Sequence, residues 1–393
     1  MTDLVVVGAG AMGGWTALEA ARGGRRTTLV DAFGPGSSRA TSGDETRIIR
    51  SSHGADGLYT RWSREARDGW KALEDEAGER LFIRAGMLWF AHREDGFEAA
   101  SLRTLQSLGI PVERLSPADI EARWPHVSAT GLSFAVLEPD AGILMARRAV
   151  LAAARAFGGS GGRLELASVR PGRVDRGRLL DVRAGDGNRI AGDEFVFACG
   201  PWLPGLFPAV VGELIRVTKQ DVLFVGPPPG DGRFAAEWTP SWVDYDASFY
   251  GMPVVDGRGF KVAPDRYGPV FEPTAGERMV DPETVRLTRR FLRRRFPALA
   301  EQPVVETRVC QYETTPDTHF VLDRHPELTN VWLVGGGSGH AFKHGPVIGR
   351  YVVSLLDGHR PDEEEARFSI AGGRTSGIGL RTGADSIVDH WDD

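Results

Sequence analysis

The apolar and polar positions of this chain fall into runs that predict alternating strands and helices. Leu4–Val7 is an apolar run that reads as a strand and stops at Gly8. Ala9-Gly10-Ala11-Met12-Gly13 follows and opens an Ala-rich helical stretch ending at Gly23-Gly24. A second strand, Thr27–Val30, ends on Asp31. Further on, residues 58–75 read as a helix and 80–91 as a strand. The runs GFEAASLRTLQSLGI and PADIEARWP read as helices of an inserted lobe, and 146–159 is a strong helical pattern. Short strands lead to DEFVFACGPWLPGL, a strand ending in the turn Cys199-Gly200-Pro201-Trp202. A β-rich stretch reaches about residue 280. The amphipathic segment 282–296 then predicts a helix whose arginines form a solvated face. NVWLVGGGSGHAFKHGPVIGRYVVSLL closes the pattern as strand, Gly-rich turn and helix. From about 371 the periodicity disappears, and that tail is expected to be mobile.

The first unit carries chemistry. Strand, G-x-G-x-x-G, helix, second strand and terminal acid stand in the order a dinucleotide site requires. Gly8 permits the tight turn, Gly10 lets a pyrophosphate approach the helix N-terminus, and Gly13 lets helix and strand pack closely. Asp31 can accept hydrogen bonds from a ribose diol. A second Gly-rich turn near 337 lies over 300 residues away. One nucleotide domain built from the first, middle and last parts of the chain accounts for both turns. The predicted class is α/β, with a Rossmann-like dinucleotide-binding domain over 1–83, 145–213 and 314–370, which the family resemblance given below implies is FAD-binding and of GR2 type. A β-rich substrate domain over 84–144 and 214–313 is interleaved with it. The ligand is expected between the two, outside the carboxyl ends of the strands.

Composition narrows the field. With 41% hydrophobic and 25% charged residues the chain reads as a globular protein, and a formal charge of -6 offers nucleic acid or a membrane surface no basic patch. No apolar run is long enough to span a bilayer, and the N-terminus does not read as a signal peptide. The expected location is therefore cytoplasmic. Two cysteines, Cys199 and Cys310, build neither a disulfide framework nor a metal motif, and no metal is expected.

Cys310 stands in RVCQYETTPDTHFVLD, and this run, with TRIIR (46–50), FYGMP with GFK (249–261) and GGGSGHAFKHGPVIG (335–349), resembles the monomeric sarcosine oxidase family. That family lies within the D-amino-acid-oxidase-like flavoenzymes. The resemblance covers 3 to about 368. It implies FAD attached as an 8α-S-cysteinyl group to Cys310, consistent with the thiolate being the nucleophilic form of cysteine. It places Arg47 near the flavin, and Met12, Gly337 and Gly339 on cofactor-binding turns. It assigns Arg50 and Lys343 to the substrate carboxylate and Lys261 to oxygen activation. Tyr250, Tyr312 and His340 become active-site rings. An Arg fork with a Lys point charge suits an amino acid carboxylate.

Several positions depart from the family pattern. Gly43 replaces a histidine in Ser42-Gly43-Asp44-Glu45, which suggests room for a larger substrate. Asp265 replaces another histidine and is expected to pair structurally, with a nearby arginine as the candidate. His344 follows the lysine of HAFK where the family has Phe. The function implied is a monomeric FAD-dependent amine oxidase that converts a secondary, N-methyl or cyclic, amino acid larger than sarcosine to an imine and O2 to hydrogen peroxide. The alternative is an FAD-dependent amino acid dehydrogenase with another electron acceptor.

Overall fold

Two sheets organise the chain in the computed structural model, which describes residues 2–371 and 386–391. Strand β1 (Leu4–Val7), helix α1 (Ala11–Arg22) and strand β2 (Thr27–Asp31) form the predicted βαβ unit. They sit in a six-stranded sheet ordered Val321–Arg324, Val331–Gly335, Glu194–Phe197, β1, β2, Arg163–Leu166. All neighbours are parallel except the Val321–Arg324 edge. Successive residues of β1 face opposite ways, and both faces are covered. Leu4 and Val6 join a core with α1, helix α2 (Gly57–Ala77), Ala146–Gly159 and Gly345–Leu356. Val5 and Val7 join another with Leu203, Phe207, Val211 and Ile215. This double burial is why β1 is apolar at every position.

The second sheet has eight strands, ordered Val304–Thr314, Arg216–Val225, Phe260–Pro264, Phe249–Met252, Ser241–Asp244, Met87–Ala91, Phe134–Glu138, Glu113–Leu115. The helix Pro282–Arg295 packs behind it. Its Phe291 ring stacks on Phe249 at 4.6 Å and on Trp242 at 5.2 Å. A small sheet of β3 (Thr46–Ile49), Gly142–Met145 and Phe82–Ile83 completes the site-bearing elements.

Three sequence expectations need correction here. The 80–91 run is two strands, because Gly86 turns the backbone at φ +77° between Ile83 and Met87. The 282–296 arginines are not all solvated. Arg295 is fully buried, 3.2 Å from the buried carboxylate of Asp244, which also meets His92 at 3.0 Å. The tail is not wholly free either. Residues 386–391 pack onto the second sheet's core, with Val388 buried, the Ile387 N–H donating to Asp246 O at 3.0 Å and Trp391 beside Phe291. Residues 372–385 lie outside the described residues.

Candidate functional site

The cradle begins at the end of β1. Gly8 takes φ +108°, and a Cβ there would lie 2.3 Å from Ala198 O. A Cβ at Gly13 would lie 2.0 Å from Gly8 O, so α1 and β1 approach only because position 13 is glycine. Gly10 caps α1, whose first turn carries no acidic residue, leaving the positive helix end for an anion. Ser42 Oγ accepts the Ala11 N–H at 3.0 Å. Asp31 accepts N–H groups from Ala9 at 2.7 Å and from Phe33 and Gly34 at 2.8 Å each, which fixes both turns of the unit. Gly13→Ala is expected to displace α1 and abolish cofactor retention. The check is the flavin-to-protein absorbance ratio of purified protein beside its melting temperature. Wild-type flavin content at wild-type stability would refute the packing argument.

These turns open onto a cavity of about 720 Å³, within the usual span of small-molecule sites of roughly 300–1,000 Å³. Of the sequence-predicted residues, Gly8, Gly10, Met12, Asp31, Arg47, Cys310, Tyr312, Gly337 and Gly339 line it. Gly13 lies in the helix behind, and Arg50, Tyr250, Lys261, His340 and Lys343 lie outside the lining. Cys199 lines the cavity too, but its thiol donates to Val7 O at 3.4 Å and burial pushes its pKa up, so it stays protonated.

Cys310 lies on the Val304–Thr314 strand, opposite Gln220. The Arg47 guanidinium is 3.4 Å from its sulfur, a permanent positive charge beside the thiol group. Arg47 is held by Asp44 at 2.7 Å and by the carbonyls of Thr46 and Thr41 at 2.8 and 2.5 Å. Asp44 also takes the buried Lys261 ammonium, which donates in addition to Thr46 O at 3.1 Å. Burial alone would raise the Asp44 pKa. Lys261 and Arg47 outweigh it and hold the carboxyl well below the usual range.

Behind the turn at 337–344 lies a second charged group. The Lys343 ammonium donates to His340 O at 2.7 Å, and the Trp70 indole N–H fixes Lys343 by its carbonyl at 2.8 Å. Arg50 lies over the Trp89 ring at 4.7 Å and donates to Ser52 O. Both cations act on the His53 imidazole and, with burial as the larger cause, keep it neutral; His344 is kept neutral in the same way. His53, His340 and His344 offer nitrogens within 4.8 Å of one another. A dication bound at about 2.0–2.1 Å wants nitrogens roughly 3.3 Å apart, and Arg50 and Lys343 repel it. The cluster therefore suits an anion's surroundings better than a metal.

The sequence from 3 to 355 matches the family model described as FAD dependent oxidoreductase. The chain belongs to this family. Among curated relatives, the monomeric sarcosine oxidase of Bacillus sp. (strain B-0618) is 28% identical over 383 residues, covering 94% of this chain and 95% of that one. The N-methyl-L-tryptophan oxidase of Yersinia pestis (strain Pestoides F) is 26% identical over 378 residues, covering 94% and 98%. Among solved structures, the L-proline dehydrogenase of P. horikoshii shares the fold with a TM-score of 0.81 at 21% identity, covering 94% and 96%. This FAD-dependent oxidoreductase has a site that fits its cofactor. The helix N-terminus without acids, the close backbone approach at Gly8 and Gly10, and Arg47 on the wall all suit a dinucleotide anion.

Several readings of the sequence change at the site. Gly43 does not open the cavity. A Cβ there would sit 1.7 Å from Ser37 O, so glycine is demanded by chain crossing and says nothing of substrate size. Asp265 accepts a hydrogen bond from the Tyr312 hydroxyl at 3.2 Å, a structural pairing on the cavity wall. Glu313 was missed altogether. It lines the cavity three residues after Cys310, its Oε2 meets no partner among the described residues, and burial raises its pKa to about 7. Only its place in the CQYE run hinted at it.

A carboxyl whose folded pKa exceeds its unfolded value stabilises the fold at low pH and loses that contribution as pH rises through the folded value. Thermal stability is therefore expected to fall between about pH 4.5 and 7, by roughly 1–3 kcal/mol from this group. Glu313→Gln should flatten that part of the profile. An unchanged slope in melting temperature against pH would show that Glu313 does not titrate there.

Proposed function

We propose that this protein oxidises amino acids bearing a secondary amine, N-methylated or cyclic, at the carbon–nitrogen bond, with FAD tethered through Cys310. The cavity observation that carries the reading is Cys310 on the wall, 3.4 Å from Arg47, opposite the α1 cradle. The kinship with a sarcosine oxidase and an N-methyl-L-tryptophan oxidase supports the substrate class. Bound FAD supplies a two-electron sink for a C–H bond next to nitrogen. The α1 N-terminus and Gly8–Gly10 backbone hold its pyrophosphate, and Asp31 stands at the ribose end.

Arg50 and Lys343 bind and orient the substrate carboxylate, the Arg by its planar fork and the Lys as a point charge. Their positive charge disfavours a protonated substrate amine, so the amine is held neutral without a side-chain base. Tyr250 and Tyr312 bound the substrate, and His340 backs the Gly337–Gly339 turn. Lys261 is the candidate to stabilise charge developing on oxygen. A non-oxygen acceptor stays open as the second reading, because Asp44 already neutralises that ammonium.

The test is anaerobic mixing with sarcosine, N-methyltryptophan, proline and pipecolate, followed by admission of air. Bleaching by a member of this panel supports the substrate class, and peroxide on reoxidation supports O2 as acceptor. Bleached protein that stays bleached in air favours the dehydrogenase. No bleaching by any of them sinks the substrate class.

A further inference from the structure

The charges around Cys310 do not balance in the way a loose surface cluster would. Three cations meet at Asp44: Lys261, Arg47 and Arg308; Arg278, which donates to Val309 O at 3.2 Å, is a further cation near Cys310 and stands apart from that group. Arg308 is taken up by Glu45 at 3.2 Å and Glu306 at 2.5 Å, leaving it 3.6 Å from Asp44 as a peripheral contact. Asp44 thus stands alone between Lys261 and Arg47. Lys261 and Asp44 are both buried, and neither lines the cavity, whereas Arg47 does. One positive charge remains uncompensated, and Arg47 carries it to the wall beside Cys310.

We propose that Asp44 is a positioning residue that sets the positive field of the cofactor cavity, pinning Arg47 against Cys310 and cancelling the charge of Lys261 behind it. The inference rests on the reading that FAD occupies this cavity. A flavin gains negative charge on reduction, and it does so more readily the more uncompensated cations face it. Asp44 therefore keeps the reduction potential low, so the reduced cofactor hands its electrons on more readily. It also blunts Lys261 as a partner for oxygen. The pairing joins residues 217 positions apart, and the other Asp44 oxygen accepts the Glu45 N–H at 2.7 Å.

The experiment compares holoenzymes of wild type, Asp44→Asn, Lys261→Met and the double variant. Two readouts are taken: the flavin reduction potential, and the affinity for sulfite, which bleaches oxidised flavin and leaves a negative charge on the ring. Asp44→Asn leaves two uncompensated cations, so sulfite should bind on the order of tenfold tighter and the potential should rise. Lys261→Met removes one positive charge relative to wild type, and both readouts should move the opposite way. The double variant restores one net charge and should return close to wild type. A merely structural role would not reverse sign between the single variants. If Asp44→Asn fails to fold, the Lys261→Met and double variants still test the charge count against wild type. Unchanged sulfite affinity, or shifts in the same direction for both single variants, would overturn the proposal while leaving the FAD reading intact. A wild type purified without flavin would overturn both.

Discussion

Acid denaturation of wild-type protein is expected to leave the yellow flavin with the precipitated polypeptide, and Cys310→Ser is expected to release all of it to the supernatant. The effect is all or none because a covalent bond either exists or does not. The structure supplies two cysteines at the cavity and distinguishes them. Cys199 is held protonated by burial and by its bond to Val7 O. Cys310 is half-buried, faces the cavity and has the Arg47 guanidinium at 3.4 Å. Cys310 is thus the cysteine with access to a ligand in the cavity and a fixed cation beside its sulfur. Cys199→Ser should therefore keep the colour in the precipitate. Release of free flavin from wild type would make Cys310 a bystander and return the site to non-covalent binding.

Arg50→Ala is expected to raise KM for amino acid substrates by roughly 10- to 100-fold, the equivalent of about 1.5–3 kcal/mol for a lost charged hydrogen bond. The turnover number should change far less if the interaction is equal in the ground and transition states. Lys343→Met should act in the same direction, and the double variant should lose more than either alone. Arg50 also lies on Trp89 and donates to Ser52 O, so a structural effect has to be separated. Substrate amides, which lack the carboxylate charge, provide that separation. They should be poor for wild type and little affected by Arg50→Ala. If Arg50→Ala weakens amides and free acids equally, the guanidinium holds the fold and not the substrate.

Much of the cofactor half was legible in the chain. Gly8, Gly10, Gly13 and Asp31 belong to one contiguous βαβ unit, so order and spacing suffice to predict them. The helices at 146–159 and 282–295 were legible for the same reason, since an apolar stripe records its own buried face. Cys310 was legible only through the motif around it. Periodicity would have left it an ordinary strand residue.

What the linear pattern did not carry was partnership across the chain. Arg295 looked like one more arginine of a solvated face, until Asp244 from a distant strand received it in the core. Gly43 looked like room for substrate, until Ser37 proved to occupy the space. Asp44 was one residue of the Ser42-Gly43-Asp44-Glu45 run and Glu313 one of the CQYE run, neither given a role by the sequence. The sequence by itself determined the βαβ cradle and the family motifs. Only the tertiary structure decided which charges neutralise one another, because Coulombic energy depends on distance in space and on burial. Lys261 and Asp44 lie 217 residues apart, and only the packed sheets bring them into contact.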